Sequence, residues 1–183
     1  MKRVLKLILF AALLLISAPS LRAQTPELKP PEKRSFKHGV KIFQDYVALA
    51  DQTLVKSQNI RVMRDKTGPI QMSAEFTSPG QRIVRPASVL LEFISSAKSQ
   101  RYEPSTILTL VVDGEEISFN TTNRVLFIYR GGFVETMVTP LPYNTFLRVA
   151  NSRAVHVKLG PTEFTLDEKA MEVLRDVASR TGS

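Results

Sequence analysis

Two stretches, ILTLVVDGEEISFN at residues 107–120 and VLFIYRGGFVETMV at residues 125–138, decide the fold. In the first, an apolar run stops at Asp113-Gly114, and Ile117 and Phe119 then share one face of a return segment. A type I′ turn needs positive φ at both central positions, and Asp-Gly adopts that geometry at small steric cost, so the stretch reads as a β-hairpin. In the second, residues 125–129 and 133–138 flank Gly131-Gly132, a hairpin of the same logic.

Strand periodicity extends outward from this pair. Ile70, Met72, Ala74 and Phe76 alternate with Gln71, Ser73 and Glu75, which gives one apolar and one polar face. Residues 89–94 are almost continuously apolar and suit a strand covered on both faces. Shorter strand patterns occur at 40–47, 53–55 and 60–62, at Val155, Val157 and Leu159, and at 163–165 after Gly160-Pro161.

Two segments have helical spacing instead. Tyr143, Phe146, Leu147 and Ala150 fit i, i+3, i+4, i+7 after Pro140 and Pro142, which disfavour a ladder strand. Residues 167–180 place Ala170, Met171, Leu174, Val177 and Ala178 on one stripe. Asp167, or Thr165 with Glu168, serves as the N-terminal cap, and Gly182 follows as a stop. Eight to ten short strands and two late helices predict a mostly β, α+β fold. The expected form is an antiparallel β-sandwich or barrel-like sheet with a short helix and a C-terminal helix packed on it. No internal repeat is visible.

The N-terminus has three successive parts: Lys2, Arg3 and Lys6, an apolar run at residues 7–16, and the small-residue exit Ser17-Ala18-Pro19-Ser20. These are the parts of a bacterial secretory signal. An apolar run of about ten residues is short for a bilayer, which takes about 20. Cleavage after Ala23, or after Ser20, leaves no stable transmembrane anchor, and an uncleaved anchor is the alternative. The expected domains are a signal peptide at 1–23, a disordered Pro/Lys-rich linker at 24–39 and one β-rich domain at 40–181. The expected location is periplasmic or secreted. The chain has no cysteine, which excludes disulfides, thiolate metal sites, thiol catalysis and an acylated-cysteine anchor.

The formal charge of +8 suggests nucleic acid until it is divided along the chain. Lys2, Arg3, Lys6 and Arg22 leave with the signal, and Lys29, Lys33, Arg34, Lys37 and Lys41 concentrate most of the remainder in residues 24–41. The folded domain is left nearly neutral, and the electrostatic case for nucleic acid goes with it. Those five basic residues form a candidate binding arm for an anionic envelope polymer or lipid surface.

Candidate chemistry is sparse. His38 lies in the linker, and His156 lies between two valines and is expected to face solvent, so no metal or cofactor site is implied. Asp113, Glu115 and Glu116 lack the frame of a calcium loop and read as a turn. Neither G-x-S-x-G nor S-x-x-K occurs in a strand-turn-helix context, and Gly131-Gly132 is followed by strand rather than by a phosphate-binding helix. The aromatics Phe127, Tyr129, Phe133, Tyr143 and Phe146 read as core, with an exposed carbohydrate or peptide groove as the functional alternative. The sequon Asn120-Thr121-Thr122 carries no weight in a bacterial chain.

The expected function is a non-enzymatic binding or structural module outside the cytoplasm, whose partner is an envelope polymer or an exported protein. The alternatives are a chaperone or inhibitor of an exported partner, and a glycosidase-like hydrolase. In the hydrolase, acids such as Asp45, Asp51, Glu75 or Glu92 would meet only in three dimensions.

Overall fold

The computed structural model describes residues 28–32, 36–103, 106–121 and 123–181. The signal segment, Lys33, Arg34 and Thr122 lie outside the described residues. Over the described residues the chain folds as two antiparallel sheets with two α-helices, a sandwich-like α+β architecture without a closed barrel.

The larger sheet contains β1 (Ile42–Val47), β2 (Gln52–Ser57), β3 (Ile60–Arg64), β4 (Pro69–Pro79), β5 (Ser88–Ala97), β8 (Asn123–Tyr129) and β9 (Gly132–Pro142). Its order is β1-β2-β4-β5-β9-β8, with β3 beside the first half of β4 and β2 beside the second half. The smaller sheet has the order β11-β10-β6-β7, from β6 (Ile107–Val112), β7 (Glu115–Asn120), β10 (Val155–Leu159) and β11 (Thr162–Thr165). Helices α1 (Tyr143–Asn151) and α2 (Glu168–Ser179) pack against each other, α1 also meeting β5 and β9, and α2 meeting β2 and β4.

Alternation within each strand decides what is buried. Ile70, Met72, Ala74 and Phe76 of β4 are buried beside Leu91 and Phe93 of β5 and Met137 and Leu141 of β9. Leu108, Leu110, Val155, Val157 and Phe164 line the inner face of the smaller sheet. Phe93 and Phe164 join the two layers edge to face at 6.3 Å between centroids. The α2 stripe of Ala170, Met171, Leu174, Val177 and Ala178 is buried, and Asp167 caps the helix by accepting from the Ala170 N–H at 2.8 Å.

Three local expectations change. Residues 89–94 are not covered on both faces: Val89, Leu91 and Phe93 are buried, while Leu90, Glu92 and Ile94 are half-exposed. The β8–β9 turn is Arg130-Gly131, with φ of 49° and 74°, and Gly132 already pairs with Tyr129 in the ladder. Asp113 and Gly114, at φ of 50° and 91°, do form the expected turn. The third change is at His38, which is buried against α2 although its sequence neighbours read as linker.

Candidate functional site

The candidate arm divides where it meets the helices. Lys29 is exposed, and its carbonyl accepts from Asn151 Nδ2 at the end of α1 at 3.1 Å. The exposed Lys37 donates its backbone N–H to Glu172 of α2 at 3.2 Å. Lys41 is exposed, with its ammonium 4.6 Å from the centroid of Phe43. Between them, His38 Nδ1 accepts from the Val40 N–H at 3.0 Å, so the ring proton sits on Nε2 and donates to Asp176 Oδ2 at 3.2 Å. Arg180 Nε donates to the other Asp176 oxygen at 2.9 Å. His38 is a staple of the arm to α2, and its burial has a structural use.

His156 faces outward on β10, with Nε2 3.4 Å from Glu163 Oε2 and Nδ1 3.2 Å from Thr165 Oγ1. A shallow groove of about 700 Å³ opens on the same sheet, lined in part by Thr109, Ser118, Lys158 and Glu163. Both signs of charge occur there, so the groove favours neither anions nor cations. Around the Asp113 turn, Glu115 is paired with Arg148, whose hydrogen bonds hold its carboxyl below the usual range. Glu116 is exposed, and Asp113 accepts from the Arg153 N–H at 3.2 Å. Among the described residues, no group of three or more His, Asp or Glu side chains stands close enough to share a metal ion.

Of the four acids named for a hydrolase, two are brought together. Lys56 Nζ lies 2.6 Å from Glu75 Oε2 and 3.0 Å from Glu92 Oε2, and Ser73 Oγ donates to that same Glu92 oxygen at 3.0 Å. All four residues point to the outer face of the larger sheet, where the ion-paired side chains are a fifth to a third exposed. Burial by itself would lower the Lys56 pKa, but hydrogen bonds from Lys56 to Glu75 and Glu92 outweigh it and the net shift is upward. Lys56 is therefore an ammonium shared between the two carboxylates, and it is unsuited to act as a base. Asp45 stands exposed on β1, and Asp51 accepts from the Tyr46 hydroxyl at 2.8 Å, which raises the phenol pKa.

A polar clamp that the sequence did not signal lies at one end of the core. Glu135 of β9 is fully buried and accepts the backbone N–H groups of Arg101 at 2.7 Å and Tyr102 at 3.1 Å. The Arg101 side chain is 7% exposed and donates from Nη2 to Asp65 at 2.9 Å and to the Thr67 hydroxyl. The Thr67 hydroxyl foremost, with the backbone N–H groups of Gly68 and Thr67 and the Arg101 charge, outweighs the opposing effect of desolvation and holds Asp65 at a pKa of about 2. These bonds tie the β5–β6 loop to the β3–β4 turn and to β9. Among the described residues the clamp's carboxylates and the Thr67 hydroxyl are satisfied within it, whereas the buried Arg101 Nε and Nη1 have no hydrogen-bond partner.

The aromatic cluster splits. Tyr143 and Phe146 are core residues of α1, and Phe133 is half-exposed. Phe127 and Tyr129, expected in the core, are 60% and 62% exposed because β8 is an edge strand flanked by β9 alone. They share the outer face of the larger sheet with Val125 of β8, Val134, Val138 and Pro140 of β9, and Leu90 and Ile94 of β5, all half-exposed. The register makes these side chains neighbours: Ile94, Thr136 and Val125 form one cross-strand row, and Val134 sits beside Phe127 in the next. The helices and the smaller sheet occupy the opposite, inner face. Among the described residues, a largely apolar surface over three strands, interrupted by Glu92, Ser96 and Thr136, is thus open to solvent, with the Lys56 triad at its margin.

No family model, curated protein or solved structure matches the chain.

Proposed function

We propose that the chain is an exported, non-enzymatic binding or structural module of the bacterial cell envelope, and that its contact surface is the open β5–β9–β8 face. The observation that carries the reading is the cluster of Leu90, Ile94, Val134, Val138 and Pro140 on a sheet face that has no second layer over it among the described residues. A monomeric protein seldom leaves so continuous an apolar surface to water, because burying it against a partner is favourable by about 25 cal/mol per Å². The basic arm of Lys29, Lys33, Arg34, Lys37 and Lys41 contributes a second, electrostatic attachment to anionic envelope material.

One experiment separates face from arm and both from neither. The chain recovered from the exported fraction, expected to begin near Gln24 by intact mass, is sedimented with isolated envelopes at low salt and at 1 M salt. Binding through the face survives salt and is lost in Ile94→Asp/Val138→Asp. Binding through the arm weakens as the Debye length falls to about 3 Å, and is lost when the five basic residues become Ser. Absence of binding under either condition overturns the reading. A hydrolase built on Glu75 and Glu92 is the weaker reading, since the Lys56 ammonium occupies the space between the two carboxylates.

A further inference from the structure

Eight of the eleven exposed large hydrophobics among the described residues lie on the two edges of one sheet. Leu126, Phe127, Ile128 and Tyr129 belong to β8; Phe43, Tyr46 and Val47 belong to β1, and Leu49 to the turn after it. Among the described residues each edge strand pairs on one side only, so each turns a row of backbone groups without a strand partner outward.

Charge distinguishes the edges. Residues 123–130 include two arginines and no acid, whereas residues 42–51 include Asp45 and Asp51 and no base, with Lys41 at the margin. Pairing either edge with its own kind sets like charges together, and pairing β8 with β1 sets a basic edge beside an acidic one. Direction agrees as well. The path β1-β2-β4-β5-β9-β8 has six antiparallel positions, and an even number makes the outermost strands run in opposite directions. A second copy displaced across the sheet brings its β1 antiparallel to β8 without being turned round.

We propose that the chain assembles head to tail, β8 of one copy taking β1 of the next as its antiparallel neighbour. With the two strands fully overlapped and their faces matched, Phe127 stands opposite Phe43, Ile128 opposite Ile42, and Tyr129 opposite the Lys41 ammonium. Position 124, an arginine, falls opposite Tyr46, whose hydroxyl donates to Asp51. The contact joins two different surfaces, so it does not close on itself and copies add without limit. Each copy advances the sheet by about 29 Å, from six positions at about 4.8 Å per strand. The contact uses the sheet edges and stands independently of the envelope-binding reading of the face.

The test is sedimentation velocity on the exported chain and three variants at exposed positions. Wild type should gain mass with concentration up to about 1 mM and pass beyond a dimer. Ile128→Lys and Val47→Lys, each melting as wild type does, should remain monomers. Mixed in equal amounts they should form a one-to-one dimer and stop, because one intact β8 and one intact β1 remain. Tyr129→Lys replaces Ile128→Lys if the latter melts early, and Glu116→Gln, exposed on the smaller sheet, should assemble like wild type. A wild type that stays monomeric overturns the proposal, as does a Val47→Lys protein that still dimerises, which would mean β8 pairing with β8. Monomeric wild type that binds anionic phospholipid vesicles, and loses that binding with Ile128→Lys, also overturns it and makes β8 a membrane contact.

Discussion

Replacing Lys56 by Met tests whether the charge triad on the open sheet face is a structural device. Methionine keeps an unbranched stem of similar length and removes the ammonium from between Glu75 and Glu92. Two losses follow. Ion pairs exposed to this degree are each worth about 0.2–1 kcal/mol. The carboxylate oxygens left behind lie within about 6 Å of each other, where Coulomb repulsion ranges from about 0.7 kcal/mol in bulk water to about 3 kcal/mol near a protein surface. Both side chains reach solvent and swing apart, so the lower part of that range applies, and the expected total is about 1–2 kcal/mol at pH 7. The Lys56 pKa is raised on folding, so its contribution is fully present below the unfolded value near 10.5 and is lost as pH rises through the higher folded value. Urea denaturation followed by circular dichroism should therefore show a wild-type advantage that is steady from pH 7 to 9. The advantage should shrink above 10.5 and in 1 M salt, with the m-value unchanged. A variant as stable as wild type at pH 7 and low salt would refute the reasoning, and so would a loss above about 4 kcal/mol, which belongs to a buried charge.

Leu174 is fully buried in the middle of the α2 stripe, so Leu174→Ala should cost about 2–5 kcal/mol and lower the calorimetric Tm by about 4–20 °C; an unchanged Tm would mean that α2 is not docked. Asp65, at a pKa of about 2, contributes stability above the unfolded value near 3.9 and loses it as pH falls through the folded value. Asp65→Asn should accordingly flatten the decline of stability between pH 4 and 2, and an acid limb that keeps its slope would detach Asp65 from that transition.

Local features of the fold were readable in the sequence because each depends on a few neighbours. The alternation of Ile70, Met72, Ala74 and Phe76 fixes which face of β4 is inward, and Asp113-Gly114 fixes one turn, since both signals are complete within a dozen residues. The second hairpin shows the limit. A sequence containing Arg130-Gly131-Gly132 permits two turns one residue apart, and the choice rests on the ladder that pairs Tyr129 with Gly132 and Phe133 with both Ile128 and Ala97. His38 is a similar case: its partner Asp176 lies 138 positions away, and nothing near the histidine announces it.

The buried clamp was invisible for the same reason, since Glu135 meets Arg101 and Tyr102 across 34 and 33 positions, and a lone Glu in a strand reads as a solvent-facing residue. The open apolar face had a signal of another kind. Residues 89–94, 125–129 and 133–138 all have more apolar positions than strict alternation allows, and taken singly each excess suggests a strand covered on both sides. A strand buried on both faces needs a layer on each, yet the helices and the smaller sheet occupy the inner face of the larger sheet. Only the order β5-β9-β8 turns three separate excesses into one surface, since it makes the three over-apolar strands neighbours and leaves their second faces uncovered together. The departure from alternation is therefore concentrated on the strands that end at the exposed β8 edge, where the proposed contact surface lies.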